Sequence, residues 1–173
     1  SLMLGAGQSE LSFEFKLSSD CPISENAGTL YIIFGDISKP FEVGSLELNI
    51  TPINPIIHFI ETFESFYRFK VKGFKNKKGF IEAPVNVPDS TKWASIQKMA
   101  LQMKMVNDEL EVKFMVNLKK LSFDGGPDKT KDEKREIVKL LTKKQYDLYG
   151  TANQEGIKKV IEEFLDEVKL KPI

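Results

Sequence analysis

The sequence holds one cysteine (Cys21), one histidine (His58) and one tryptophan (Trp93) in 173 residues. A single cysteine excludes an internal disulfide framework and any zinc site built on a cysteine cluster. A single histidine makes His58 the sole anchor for a serine–histidine or histidine–metal arrangement, and no motif brings a nucleophile or carboxylate to it. Charge of one overall sign is also missing, because 25 Lys and Arg balance 25 Asp and Glu. That balance excludes a globally basic nucleic-acid binder and an acidic tail protein, though not a local patch. No apolar run approaches the roughly 18 residues that span a bilayer. The N-terminus carries no signal-peptide pattern, so the expected location is cytoplasmic, with peripheral contact at membranes. The chain opens Ser1-Leu2 rather than Met, as an excised piece of a longer protein would.

Chemistry-bearing motifs are equally sparse. Gly5-Ala6-Gly7 and Gly125-Gly126 lack the strand-to-helix glycine spacing and Lys-Ser/Thr of a phosphate loop. Asp124, Asp128 and Asp132 recur every four residues, not at the first, third and fifth positions of a calcium loop. Glu162-Glu163 and Asp166-Glu167 sit among lysines, as on a solvated helix flank. His58 reads as a histidine at the edge of an apolar helix, and Cys21, beside Pro22 in a turn, as an exposed thiol without a partner. Neither catalysis nor a metal is expected.

What the chain has in excess is phenylalanine, thirteen in all. Residues 10–17 alternate strictly, with Leu11, Phe13, Phe15 and Leu17 on one face and Ser12, Glu14 and Lys16 on the other, the pattern of a half-wet strand. Leu30 to Phe34 is a continuous β-rich run, and Phe41 to Ile50 alternates again, with Leu46, Leu48 and Ile50 aligned. The period then changes. Asn54-Pro55 suits a helix start, and Ile56, Ile60, Phe63, Tyr67 and Val71 recur at helical spacing over about four turns. After a Pro-interrupted extended stretch (83–88), Asp89, Ser90 or Thr91 can cap a second helix carrying Trp93, Ile96, Met99, Ala100 and Met103. The alternative is a strand over Leu101–Val106 that turns at Asn107-Asp108. Leu110 to Leu118 is the clearest strand. Beyond the break at Phe123–Asp128, two helices are expected, about Asp132–Lys144 and Asn153–Leu170.

The expected architecture is α+β, a curved antiparallel sheet with amphipathic helices. It divides into a β-rich body (10–123) and a helical C-terminal segment (130–171). The stripe Ile157, Val160, Ile161, Phe164, Leu165 and Val168 has the spacing of a helix that docks in a partner's groove. Packing on its own sheet is the plainer reading.

Two features point to apolar ligands. Between Glu64 and Glu82 lie Arg68, Lys70, Lys72, Lys75, Lys77 and Lys78 with no acid, interleaved with Phe69, Phe74 and Phe80. Such a stretch suits an anionic bilayer surface, where each basic group contributes about 1 kcal/mol and aromatics insert at the interface. It also suits a lysine-rich connection whose aromatics pack on the body. Tracking a nucleic-acid backbone is the third reading, and nucleic acid is not the expected partner. The second feature is the one-sided strands. Phe13, Phe15, Leu46, Leu48, Ile50, Val112, Phe114 and Val116 form apolar faces that helices cover in an ordinary α+β core, or that stay open as a trough for acyl chains.

The order of elements from residue 10 to 118 resembles the repeating unit of the chorein family of bridge-like lipid-transfer proteins. The phrases that carry the resemblance are Leu11-Ser12-Phe13-Glu14-Phe15, Gly28-Thr29-Leu30-Tyr31-Ile32 and Val43-Gly44-Ser45-Leu46-Glu47-Leu48-Asn49-Ile50. They continue with Asn54-Pro55 through Phe66-Tyr67, and with Glu109-Leu110-Glu111-Val112-Lys113-Phe114-Met115-Val116. The resemblance covers about 110 residues and is one of pattern and order; residues 124–173 lie outside it. It implies a curved antiparallel sheet forming a section of hydrophobic groove, acyl chains on the apolar strand faces, head groups toward solvent, no catalysis, and no cofactor beyond a bound lipid. Function is therefore expected to be lipid binding or transfer, the alternative being a protein-interaction adaptor that works through residues 153–170.

Overall fold

The computed structural model describes residues 14–18, 21–25, 30–36, 38–39, 44–121 and 130–169. The elements in chain order are β1 (Tyr31–Phe34), β2 (Gly44–Glu47), α1 (Asn54–Tyr67), β3 (Lys70–Val71), β4 (Lys75–Lys77), β5 (Phe80–Asn86), a 3-10 turn (Thr91–Trp93), β6 (Ile96–Val106), β7 (Glu109–Leu121), β8 (Thr130–Leu141), α2 (Lys143–Tyr146), β9 (Asp147–Leu148), β10 (Thr151–Ala152) and α3 (Gln154–Val168). The fold is α+β. A six-stranded antiparallel sheet runs β3-β5-β6-β7-β8, with β4 also pairing β5, and β1-β2 and β9-β10 are separate two-stranded hairpins.

Alternation decides which face of the sheet is dry. On β7, Leu110, Val112, Phe114, Val116 and Leu118 are buried, while Glu111, Lys113 and Met115 face the other way. α1 and α3 lie on the dry face. α1 contributes Ile56, Phe59, Ile60 and Phe63, and α3 contributes Ile157, Val160, Ile161, Phe164, Leu165 and Val168. These side chains join the strand residues in one core. Burying a large apolar side chain contributes roughly 1.5–3 kcal/mol, so this seam between helices and sheet is the main source of stability. Asn153 caps α3 by accepting from the Gly156 N–H at 3.1 Å. The far end of α3 is tied to the start of β6, where the Ser95 hydroxyl donates to the Val168 carbonyl at 3.4 Å.

Two expected helices are replaced by other structure. Residues 89–98 form the 3-10 turn and the start of β6, and the strand alternative over 101–106 holds. The cause is a bulge: the β6–β7 register shifts between Ile96 and Lys98. One extra residue puts Ile96 and Met99 three apart on the buried face, followed by Leu101 and Met103 at two-residue steps. Read without the bulge, that spacing imitates a helix. Residues 132–141 likewise belong to β8, which pairs with β7 over twelve residues. Its buried face holds only two apolar residues, Ile137 and Leu141, whose four-residue separation is helical in appearance. Pairing with β7 overrides that local preference. Among the described residues beyond 130, only α2, a single turn, and α3 are helical. Since β8 is part of the main sheet, residues 130–141 pack with the body.

Pro84 sits within β5 without breaking it. Its carbonyl accepts from the Lys72 N–H at 2.9 Å. On that edge β4 pairs residues 80–82 and β3 pairs residues 85–86, so the absent proline N–H falls in the gap between the two short strands.

Candidate functional site

The residues singled out in the sequence separate into three places. Val112, Phe114 and Val116 are buried beneath the helices. The Phe59 ring meets Phe114 at 6.1 Å between centroids, and the Phe164 ring stacks on it at 3.8 Å. The face that a chorein-like groove would leave open to acyl chains is thus occupied by α1 and α3. Leu46 is exposed on β2, Leu48 and Ile50 are half-buried, and Phe15 is exposed on a stretch without regular structure. Phe13 lies outside the described residues.

The basic stretch forms one corner of the sheet. Arg68 ends α1 in the left-handed conformation (φ 61°), turning the chain into β3, while Glu64 accepts from the Val71 N–H at 2.8 Å. Lys70 lies on β3, Lys75 and Lys77 on β4, and Lys78 on the turn that follows, with Lys72 between the strands; all six basic side chains are exposed. Of the interleaved aromatics, Phe69 and Phe74 point inward, while Phe80 lies on the outer face of the sheet. Phe69 is fully buried against Phe63 and Trp93, Phe74 packs on the core, and the Phe80 ring lies beneath the ammonium groups of Lys104 and Lys113 at 4.4 and 4.9 Å. Lys77 is paired with Glu82. Burial pulls the Glu82 carboxyl upward, but hydrogen bonds from Lys77 and Gln102 and the positive field of Lys77 and Lys75 outweigh it and hold the carboxyl below its usual range.

Beside this corner opens a cleft of about 450 Å³. A strap, residues 21–25, crosses β4 and forms one wall. Asn76 fixes it by accepting from the Ile23 N–H at 3.0 Å and donating to the Ile23 carbonyl at 2.8 Å. The apolar lining includes Ile53 and Ile56 from the start of α1, Ile81 from β5, and Met103 and Met105 from β6. Lys77, Lys78 and Lys104 stand at its rim. Lys104 pairs with Glu111 at 3.4 Å, whereas Lys78 makes no ion pair among the described residues. Two of these lysines belong to the basic stretch. The apolar walls come from three separate elements that only the register brings together, so no sequence signal marked them.

The other expected features resolve simply. The α3 stripe is spent on the protein's own core, leaving the outer surface of that helix to residues such as Glu155, Lys159, Glu162 and Glu163. His58 is partly exposed on α1, and its carbonyl accepts from the Thr62 hydroxyl at 2.8 Å. Cys21 is a free thiol on the cleft wall. Among the described residues, no three His, Cys, Asp or Glu side chains gather to hold a metal ion, and no helix is long and apolar enough to cross a membrane. No protein-family model matches the chain, and neither does any curated protein or solved structure.

Proposed function

We propose that the protein binds lipid without catalysis, taking one single-chain amphiphile with an anionic head group into the cleft beside β4. The observation that carries this reading is the pairing of an apolar wall (Ile53, Ile56, Ile81, Met103, Met105) with a lysine rim (Lys77, Lys78, Lys104). A cleft of about 450 Å³ lies within the range of small-ligand sites, about 300–1,000 Å³. Apolar walls hold a hydrocarbon chain by excluding water, and ammonium groups at the mouth hold a carboxylate or phosphate as point charges. The test is displacement of a fluorescent long-chain fatty acid, with native mass spectrometry of the loaded protein. One-to-one binding that weakens when the head group is neutral supports the reading. No adduct and no displacement would overturn it.

A second reading, a protein-interaction module, is favoured by the β1–β2 hairpin. Tyr31, Ile33, Phe34 and Leu46 are exposed there, and an isolated two-stranded hairpin is only marginally stable in water. Replacing Ile33 and Leu46 by Asp separates the readings: fatty-acid binding persists if the cleft is the site, and is irrelevant to a partner that docks on the hairpin.

A further inference from the structure

The hairpin β9–β10 presents an aromatic side chain entirely to solvent. Tyr149 is 104% exposed and Leu148, beside it, 46%. The loop has two residues, Tyr149 at φ 54° and Gly150 at φ 86°, the positive pair that a type I′ turn requires. Glycine, asparagine and aspartate take this conformation readily. A bulky aromatic takes it at a cost, so Tyr149 is held there against its own preference.

The turn is braced on every side. Gly150 N–H donates to the Asp147 carboxylate at 2.8 Å, and the Thr151 hydroxyl to the Leu148 carbonyl at 2.7 Å. Behind it, the Asn153 N–H donates to the Tyr146 carbonyl at 3.0 Å, and the Asn153 side-chain amide donates to the Lys144 carbonyl at 2.7 Å. A shallow depression joins the tip to Lys143 and Lys144, both exposed on α2. Among the described residues, the only carboxylate lining that depression, Asp147, is the one that holds the turn. A preformed protrusion therefore ends in an apolar aromatic and leucine, with two ammonium groups beside them.

We infer that this tip is a membrane-contact site, with Tyr149 and Leu148 entering the interfacial layer of an anionic bilayer and Lys143 and Lys144 resting on its head groups. Tyrosine suits that depth because its ring is apolar and its hydroxyl wet, and each nearby lysine adds electrostatic attraction that salt screens. One hydrogen bond ties the helical turn behind the tip to the turn at the end of β6. The Tyr146 hydroxyl donates to the Asp108 carbonyl at 2.9 Å, in the β6–β7 turn next to Val106 on the cleft wall. The inference nonetheless stands without any ligand in the cleft.

Co-sedimentation of the unloaded protein with vesicles tests it, comparing phosphatidylcholine alone with phosphatidylcholine containing about a third phosphatidylserine. Binding is expected only to the anionic vesicles, falling with added salt and roughly fivefold for each of Lys143→Gln and Lys144→Gln. Tyr149→Gly is the decisive variant. It relieves the positive-φ conformation, so its melting temperature should equal or exceed that of the wild type, yet vesicle binding should be lost. Equal binding by Tyr149→Gly, equal binding to neutral vesicles, or no binding by the wild type would each overturn the inference. Fatty-acid displacement by the same variants stays unchanged if only the tip is affected, which keeps this outcome separate from that of the cleft.

Discussion

The ring of Phe114, midway along β7, stacks on the ring of Phe164 in α3 with centroids 3.8 Å apart and planes 11° apart. Both are fully buried, so the contact joins the helical layer to the centre of the sheet. Phe164→Ala removes one ring and leaves a cavity that the sheet cannot close by moving. A loss of about 3–5 kcal/mol is expected, measurable by urea denaturation. Phe114→Glu places an unpaired carboxylate in the same seam and should unfold the protein. A folded Phe114→Glu protein that has lost only lipid loading would mean that the helices open from the sheet.

Gly156, in the first turn of α3, looks like a site for stabilisation, since Gly→Ala inside a helix ordinarily gains about 1 kcal/mol. The opposite is expected here. A Cβ at Gly156 would overlap the Gln145 carbonyl and approach the Asn153 side-chain amide at 2.9 Å. The first of these is backbone, held by α2, where the Gln145 N–H donates to the Thr142 carbonyl at 2.8 Å. The second is the cap of α3 itself. Gly156→Ala should cost about 1–3 kcal/mol as an overpacking change, read as a lowered melting temperature.

These two seams show how much was legible beforehand. Alternation over 110–118 marked the dry face of β7, and the 157–168 stripe marked the buried side of α3, because both patterns are long and uninterrupted. The β6 bulge and the edge position of β8 hid two strands behind helix-like spacings. The candidate cleft could be read only in part. The basic stretch named Lys77 and Lys78, but Ile53, Ile81 and Met103 meet through strand register across distant segments. Nor does Tyr-Gly announce a type I′ turn as Asn-Gly does; exposure of Tyr149 is a property of the folded chain.

At the cleft rim, Lys78 is the informative residue. It is exposed and lies outside the ion pairs that occupy Lys77 and Lys104, so reversing its charge should leave folding intact. Lys78→Glu is expected to weaken binding of a long-chain fatty acid about fivefold, the scale of an exposed charge contact. Binding of the fatty alcohol of the same length should not change. Titration of both ligands against the variant measures the difference. A parallel loss for acid and alcohol would show that Lys78 shapes the cleft instead of reading the head group.

Tyr67 sets an alkaline limit on the packing of the two helices. Its hydroxyl faces the Lys158 carbonyl at 3.3 Å and the Glu162 carboxylate at 3.1 Å. Burial, and then the carboxylate of Glu162, push its pKa well above the ordinary 10.0. Because the folded value is the higher one, the stabilisation that depends on the protonated phenol is complete below about pH 10. It declines as pH rises past that point, where the unfolded chain ionises first. Tyr67→Phe cannot ionise. It should lose about 1 kcal/mol near neutrality with its hydrogen bond, and its stability should fall less than that of the wild type between about pH 8 and pH 10.5. Urea midpoints for both proteins at the two pH values test this, and parallel declines would place the alkaline limit on other groups.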